Sequence, residues 1–152
     1  MDKKNTFTLI ELIIIFFIII MLFSTIFVTY LNFMKNYNIK LTRKNHSTII
    51  SIIDSEKGKC LKESKEWIWN DKVTITCGSI FIDNQIDKFF YGIIKLKNPY
   101  DKGYAVHVVS SIPNKLSPGI NYIMLNKDVN SLKVSTLLSY DGKFLETIKY
   151  LK

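Results

Sequence analysis

Hydrophobic and polar positions divide this chain into two parts. From Phe7 to Val28 nearly every residue is apolar, a run long enough for a membrane-spanning helix, which needs roughly 20 residues. No Gly or Pro occurs between Phe7 and Lys57. The spacing therefore predicts one helix that continues outward to about residue 57, about 75 Å long at the usual rise per residue. Beyond the apolar run, Leu31, Met34 and Leu41 recur at helical spacing, and Ile49, Ile50, Ile52 and Ile53 broaden this into an apolar stripe. Such a stripe predicts a helix face packed on the chain's own domain over residues 31–57.

Gly58 and the charged run from Lys59 to Glu66 predict the helix end and a loop. The period then changes to two. Val73–Cys77 alternates with β-branched residues and Ser79–Ile82 continues it, while 89–96, 104–109 and 122–125 are further strand candidates. Tyr140-Asp-Gly-Lys143 predicts a hairpin turn joining 133–139 to 144–150, because Asp-Gly supplies the positive-φ positions of tight turns. The expected fold is α+β: a long N-terminal helix packed on a small antiparallel β-sheet, with a β-rich domain over 58–152.

Composition adds a basic balance. The 21 Lys and Arg exceed the 13 Asp and Glu, leaving a formal charge of +8. That surface suits DNA, anionic lipid or acidic glycans without choosing among them. Four cations, Lys35, Lys40, Arg43 and Lys44, follow the apolar run with no intervening acid, whereas Lys3 and Lys4 precede it. Counted by the positive-inside rule, the C-terminal side would stay in the cytoplasm. Secretory processing fits poorly, because the apolar run exceeds a usual h-region and no A-x-A-like site follows.

Enzyme signatures are scarce. There is no G-x-S-x-G, P-loop or H-E-x-x-H, so neither catalysis nor a cofactor is expected. His46 on the helix and His107 in a strand have no metal-pair spacing and are expected to be structural or surface residues. Asp101 is the sole carboxylate in the turn-rich Asn98-Pro-Tyr-Asp-Lys-Gly103 segment. Calcium wants six to eight oxygens, so no metal is expected there. Trp67 and Trp69 flank Ile68 and would share one side of an extended strand. They suit base or sugar stacking beside Lys62, Lys65 and Lys72, or simple capping of a core.

The segment FTLIEL, Phe7–Leu12, following the charged leader MDKKNT, resembles the class III signal sequence of type IV pilins and type II secretion pseudopilins. The resemblance covers residues 3–28 closely and the rest only in architecture. It implies a leader of residues 1–6, cleaved between Thr6 and Phe7 by a prepilin peptidase that then N-methylates Phe7. It also implies a single-pass protein of the bacterial cell membrane with its C-terminal domain extracytoplasmic, passed by an inner-membrane assembly platform into a filament of pilin-like subunits. Glu11 would be the carboxylate that complements a terminal amine during assembly. An unpaired charge in an apolar medium is costly, so pairing would set register more than it adds stability. Thr6 departs from the pattern, since the family nearly always places Gly before the cut. The Pro- and Gly-free helix fits a minor subunit better than a major one. A DNA- or surface-binding minor pilin and an unprocessed membrane anchor are the alternatives.

Export would place Cys60 and Cys77 in an oxidising compartment, where such a pair commonly forms a disulfide. With two thiols and no nearby His, a zinc site falls short of four ligands. The expected outcome of thiol labelling on intact cells is no reaction before reduction and labelling of both cysteines after it. Cysteines that react only after lysis would place the domain in the cytoplasm.

Overall fold

The structure is a computed structural model, and it describes residues 8–62, 66–69, 73–76, 90, 95–101, 103–126, 128–129 and 131–150. Helix α1 spans Leu9–Lys62, followed by strands β1 (Glu66–Trp69), β2 (Val73–Thr76), β3 (Val106–Val109), β4 (Asn121–Asn126), β5 (Ser131–Leu137) and β6 (Phe144–Tyr150). The chain divides into two units, one ending at Tyr37 and the other beginning at Asn38.

The first unit is helix without a partner among the described residues. Its large side chains are exposed on every side. Phe17, Leu22 and Phe27 are 64%, 58% and 62% exposed, and a spacing of five residues turns each about 140° from the last. Apolar surface all round a helix suits a membrane span or a protein interior, not water. This stretch is long and apolar enough to cross a membrane. Three of its hydroxyls are satisfied within the helix: Ser24 donates to the Ile20 carbonyl at 2.9 Å, Thr25 to Leu22 at 2.9 Å and Thr29 to Thr25 at 2.8 Å. In lipid, backbone and side-chain polar groups need such internal partners.

The second unit is the expected helix over a small sheet. Four strands lie in the order β3-β4-β5-β6, while β1 and β2 form a separate antiparallel pair. One edge departs from expectation: β3 runs parallel to β4, with Val106 opposite Asn121, so the larger sheet is mixed. Parallel neighbours need a long return connection, and residues 110–120 supply it without a helix. The predicted hairpin is present, with Leu137 opposite Phe144 and Gly142 at φ 83°.

Packing begins at residue 38, not 31. Leu31 and Met34 stay exposed in the first unit, whereas Thr42, Asn45, His46, Ile49 and Ile53 are buried on one face. Helical spacing alone did not separate a face meant for lipid from one meant for a sheet. Ile49 and Ile53 form the core with Phe90, Val106, Ile123, Leu132 and Val134, and Ile50 and Ile52 pack at its margin. The helix also runs about one turn past the expected end near 57, through Gly58 to Lys62. A single Gly costs a helix only about 1 kcal/mol. Of the other strand expectations, 79–82 lies outside the described residues, as does most of 89–96, where Phe90 is helical.

Ile49→Ala should destabilise this unit by about 2–5 kcal/mol, since a fully buried side chain leaves a cavity when truncated. Ser51→Ala, on the exposed side, should change stability by less than about 0.5 kcal/mol. Urea titration of the detergent-solubilised chain, followed by tryptophan fluorescence, checks the contrast.

Candidate functional site

The start of α1 is built by its own sequence. Thr8 stands at the N-cap, and Glu11 lies three residues on. The Thr8 amide and hydroxyl both donate to Glu11 Oε2, at 2.8 and 2.9 Å. In return the Glu11 amide donates to Thr8 Oγ1 at 3.3 Å. This is a reciprocal capping box, which satisfies amides that the first helical turn leaves without partners. The role of Thr8 was not anticipated, although the T-x-x-E spacing ahead of an apolar run carries it. Thr6 and Phe7, the residues flanking the expected cleavage, lie outside the described residues. Cys77 also lies outside them, and Cys60 falls in the last turns of α1.

The second unit holds a polar cluster between helix and sheet. His46 lies 6% exposed on α1. Its Nδ1 is 2.8 Å from Thr136 Oγ1 on β5, and its Nε2 is 2.9 Å from Thr147 Oγ1 on β6. Thr136 donates to Asn121 Oδ1 at 2.6 Å, and Asn121 Nδ2 donates to the Ala105 carbonyl at 2.8 Å. These directions fix the proton. The Ala105 carbonyl can only accept, so Asn121 must present its oxygen to Thr136. Thr136 has then spent its one proton and must accept from His46 Nδ1–H. In neutral imidazole, Nε2 therefore accepts from Thr147. Burial pushes the His46 pKa below 6.5, and the Asn121 side chain offsets part of that shift. His46 is thus the fully bonded structural histidine, whereas His107 is exposed on β3 with its ring 6.0 Å from that of Tyr122.

The Asn98–Gly103 turn is held from several sides. Asn98 Nδ2 donates to Asp101 Oδ2 and to the Pro118 carbonyl, each at 3.1 Å, while Asn98 Oδ1 accepts the Tyr100 amide at 2.9 Å. Asn45 Nδ2 on α1 reaches the Lys97 carbonyl at 3.1 Å. The Tyr100 hydroxyl donates to the Leu138 carbonyl. Burial first, then Asp141 and Tyr140, push the Tyr100 pKa up. Gly119 must be Gly: at φ 81° a Cβ would stand 1.9 Å from Asn98 Oδ1. Asp101 is thus absorbed by the turn, with its Oδ1 accepting the Gly103 amide at 2.7 Å. Among the described residues, no group of three or more His, Cys, Asp or Glu is placed to hold a metal.

Trp67 and Trp69 fall in β1, paired with Ile75 and Val73 of β2. The basic residues after the apolar run, Lys35, Lys40, Arg43 and Lys44, are all exposed on α1. Comparison of the chain with family models, curated proteins and solved structures found no match.

The depressed His46 pKa gives stability a sign with pH. The unfolded chain binds the imidazole proton near pH 6.5, and the folded chain binds it only at lower pH. Stability is therefore complete above about pH 6.5 and falls as pH drops toward the folded value. Thermal melts between pH 7.5 and 5 should show this decline, and His46→Gln should flatten it. An unchanged slope in the variant would assign the pH dependence to other groups.

Proposed function

We propose that this chain is a pilin-like filament subunit, inserted through its N-terminal helix and assembled with similar subunits. The observation that carries the reading is the first unit: an apolar helix from Leu9, its large side chains exposed on all sides, with Glu11 in its first turn and FTLIEL in its sequence. An apolar helix of this kind needs lipid before assembly and other helices after it. The folded second unit, whose core includes Ile49 and Ile53 of its own stretch of α1, gives such a subunit a surface domain. The motif places the leader in the cytoplasm and the domain outside. The four cations from Lys35 to Lys44 argue for the reverse, and FTLIEL is the more specific of the two signals.

A second reading, an anchored protein that keeps its leader, is favoured by Thr6. The branched Cβ of Thr stands where relatives of this motif place Gly, beside the bond to be cut.

The N-terminus of membrane-extracted protein separates the two readings. N-methylated Phe7 is the expected result, and Met1 in cells with an active prepilin peptidase would select the anchor. Two substitutions then divide the roles of Glu11. Glu11→Gln keeps a side chain that can close a capping box but has no charge, whereas Glu11→Ala loses both. Filament yield in sheared fractions should fall strongly in both variants if charge sets register. Normal assembly of Glu11→Gln, with loss only in Glu11→Ala, would reduce Glu11 to a helix cap.

A further inference from the structure

The exposed side of α1 in the second unit is basic. At 100° per residue, Lys40, Arg43 and Lys44 fall within an arc of about 100°. Thr42, Asn45, His46, Ile49 and Ile53 occupy the opposite side and are buried. The sheet thus fixes which way the cations face. No Asp or Glu occurs between Glu11 and Asp54, and Asp54 is bonded to Lys149 at 2.7 Å.

These cations follow closely on the apolar stretch. Lys40 to Lys44 lie twelve to sixteen residues after Val28, the end of the apolar run, on the same helix. Tyr30, Phe33 and Tyr37, all exposed, come between. Aromatic residues at the end of an apolar helix favour the headgroup level of a bilayer. Cations just beyond that level meet the surface potential of anionic lipids, which decays within a Debye length.

We infer that Lys40, Arg43 and Lys44 form a contact surface for anionic phospholipid headgroups. This rests on the membrane reading of the first unit but not on either orientation, because phosphate groups line both faces of a bilayer. Three exposed cations on one side of a helix match a fluid layer of single negative charges better than a fixed acidic site.

The test uses the full chain reconstituted into phosphatidylcholine vesicles that carry spin-labelled phosphatidylglycerol or phosphatidylcholine as the probe. Insertion is first established by flotation and resistance to carbonate extraction. A preference for phosphatidylglycerol of about fivefold is expected at low salt, the value of one close cation–headgroup contact. It should approach unity at 0.5 M salt and in Lys40→Gln/Arg43→Gln/Lys44→Gln. Lys133→Gln, on the sheet face turned away from α1, should retain it. A preference that survives the triple substitution or high salt, or that falls equally in Lys133→Gln, would overturn the inference. The salt titration of the unaltered chain decides even if the triple variant misfolds. A chain that does not insert would overturn the membrane reading itself, which the flotation step reports separately. Binding of a DNA duplex by the detergent-solubilised chain, lost in the triple variant while lipid preference is absent, would assign the surface to nucleic acid instead.

Discussion

The contact between α1 and the four-stranded sheet is the constraint on which the second unit depends. It runs from Thr42 to Asp54 and changes character along the way. At one end His46 is bonded to Thr136 and Thr147 on two adjacent strands. In the middle Ile49 and Ile53 fill the core. At the other end Asp54 pairs with Lys149 of β6. These parts contribute unequally. The isoleucines supply most of the free energy through burial. The Asp54–Lys149 pair is exposed and worth less than about 1 kcal/mol. The His46 network is costly if any member is left without a partner, so its role is to select one seating of helix on sheet.

That selection follows from the strand registers. Asn121 lies opposite Thr136, and Thr136 opposite Leu145. The next row on the same face holds Ile123, Val134 and Thr147. Each row carries a threonine, and His46 bridges the two, bonding Thr136 in one and Thr147 in the other. Sliding the helix by one turn would take His46 away from both threonines. Apolar packing alone would resist such a slide weakly, since isoleucines recur along the helix. The buried polar residues make the alternative expensive.

Patterning made the elements legible and left the pairings obscure. The long helix, β2, β4 and the β5–β6 hairpin follow from apolar periodicity and from Asp141-Gly142, all local signals. The parallel β3–β4 pair was not legible, because its direction is decided by how residues 110–120 route the chain. The limit of packing near residue 38 was hidden for a related reason. Leu31, Met34 and Leu41 share a spacing, but burial depends on where the sheet ends. At the candidate site Glu11 could be read from its oddity in an apolar run, and Thr8 from the T-x-x-E spacing. Asn121, Thr136 and Thr147 look like ordinary strand residues. Only the tertiary fold shows that they meet a histidine from a helix far away in sequence.

The capping box also bears on whether one carboxylate could serve both the helix and the filament proposed for this chain. Glu11 Oε2 already accepts two hydrogen bonds from Thr8, one from the amide and one from the hydroxyl. An ionised carboxylate has about four acceptor positions, so neither bond must break for an ammonium to approach the second oxygen. The amide bond holds the carboxylate at the helix N-terminus, where the aligned peptide dipoles also favour negative charge. Local capping and pairing across subunits are therefore compatible demands on Glu11. Capping would keep the carboxylate ordered before a partner arrives, which lowers the conformational entropy lost on pairing.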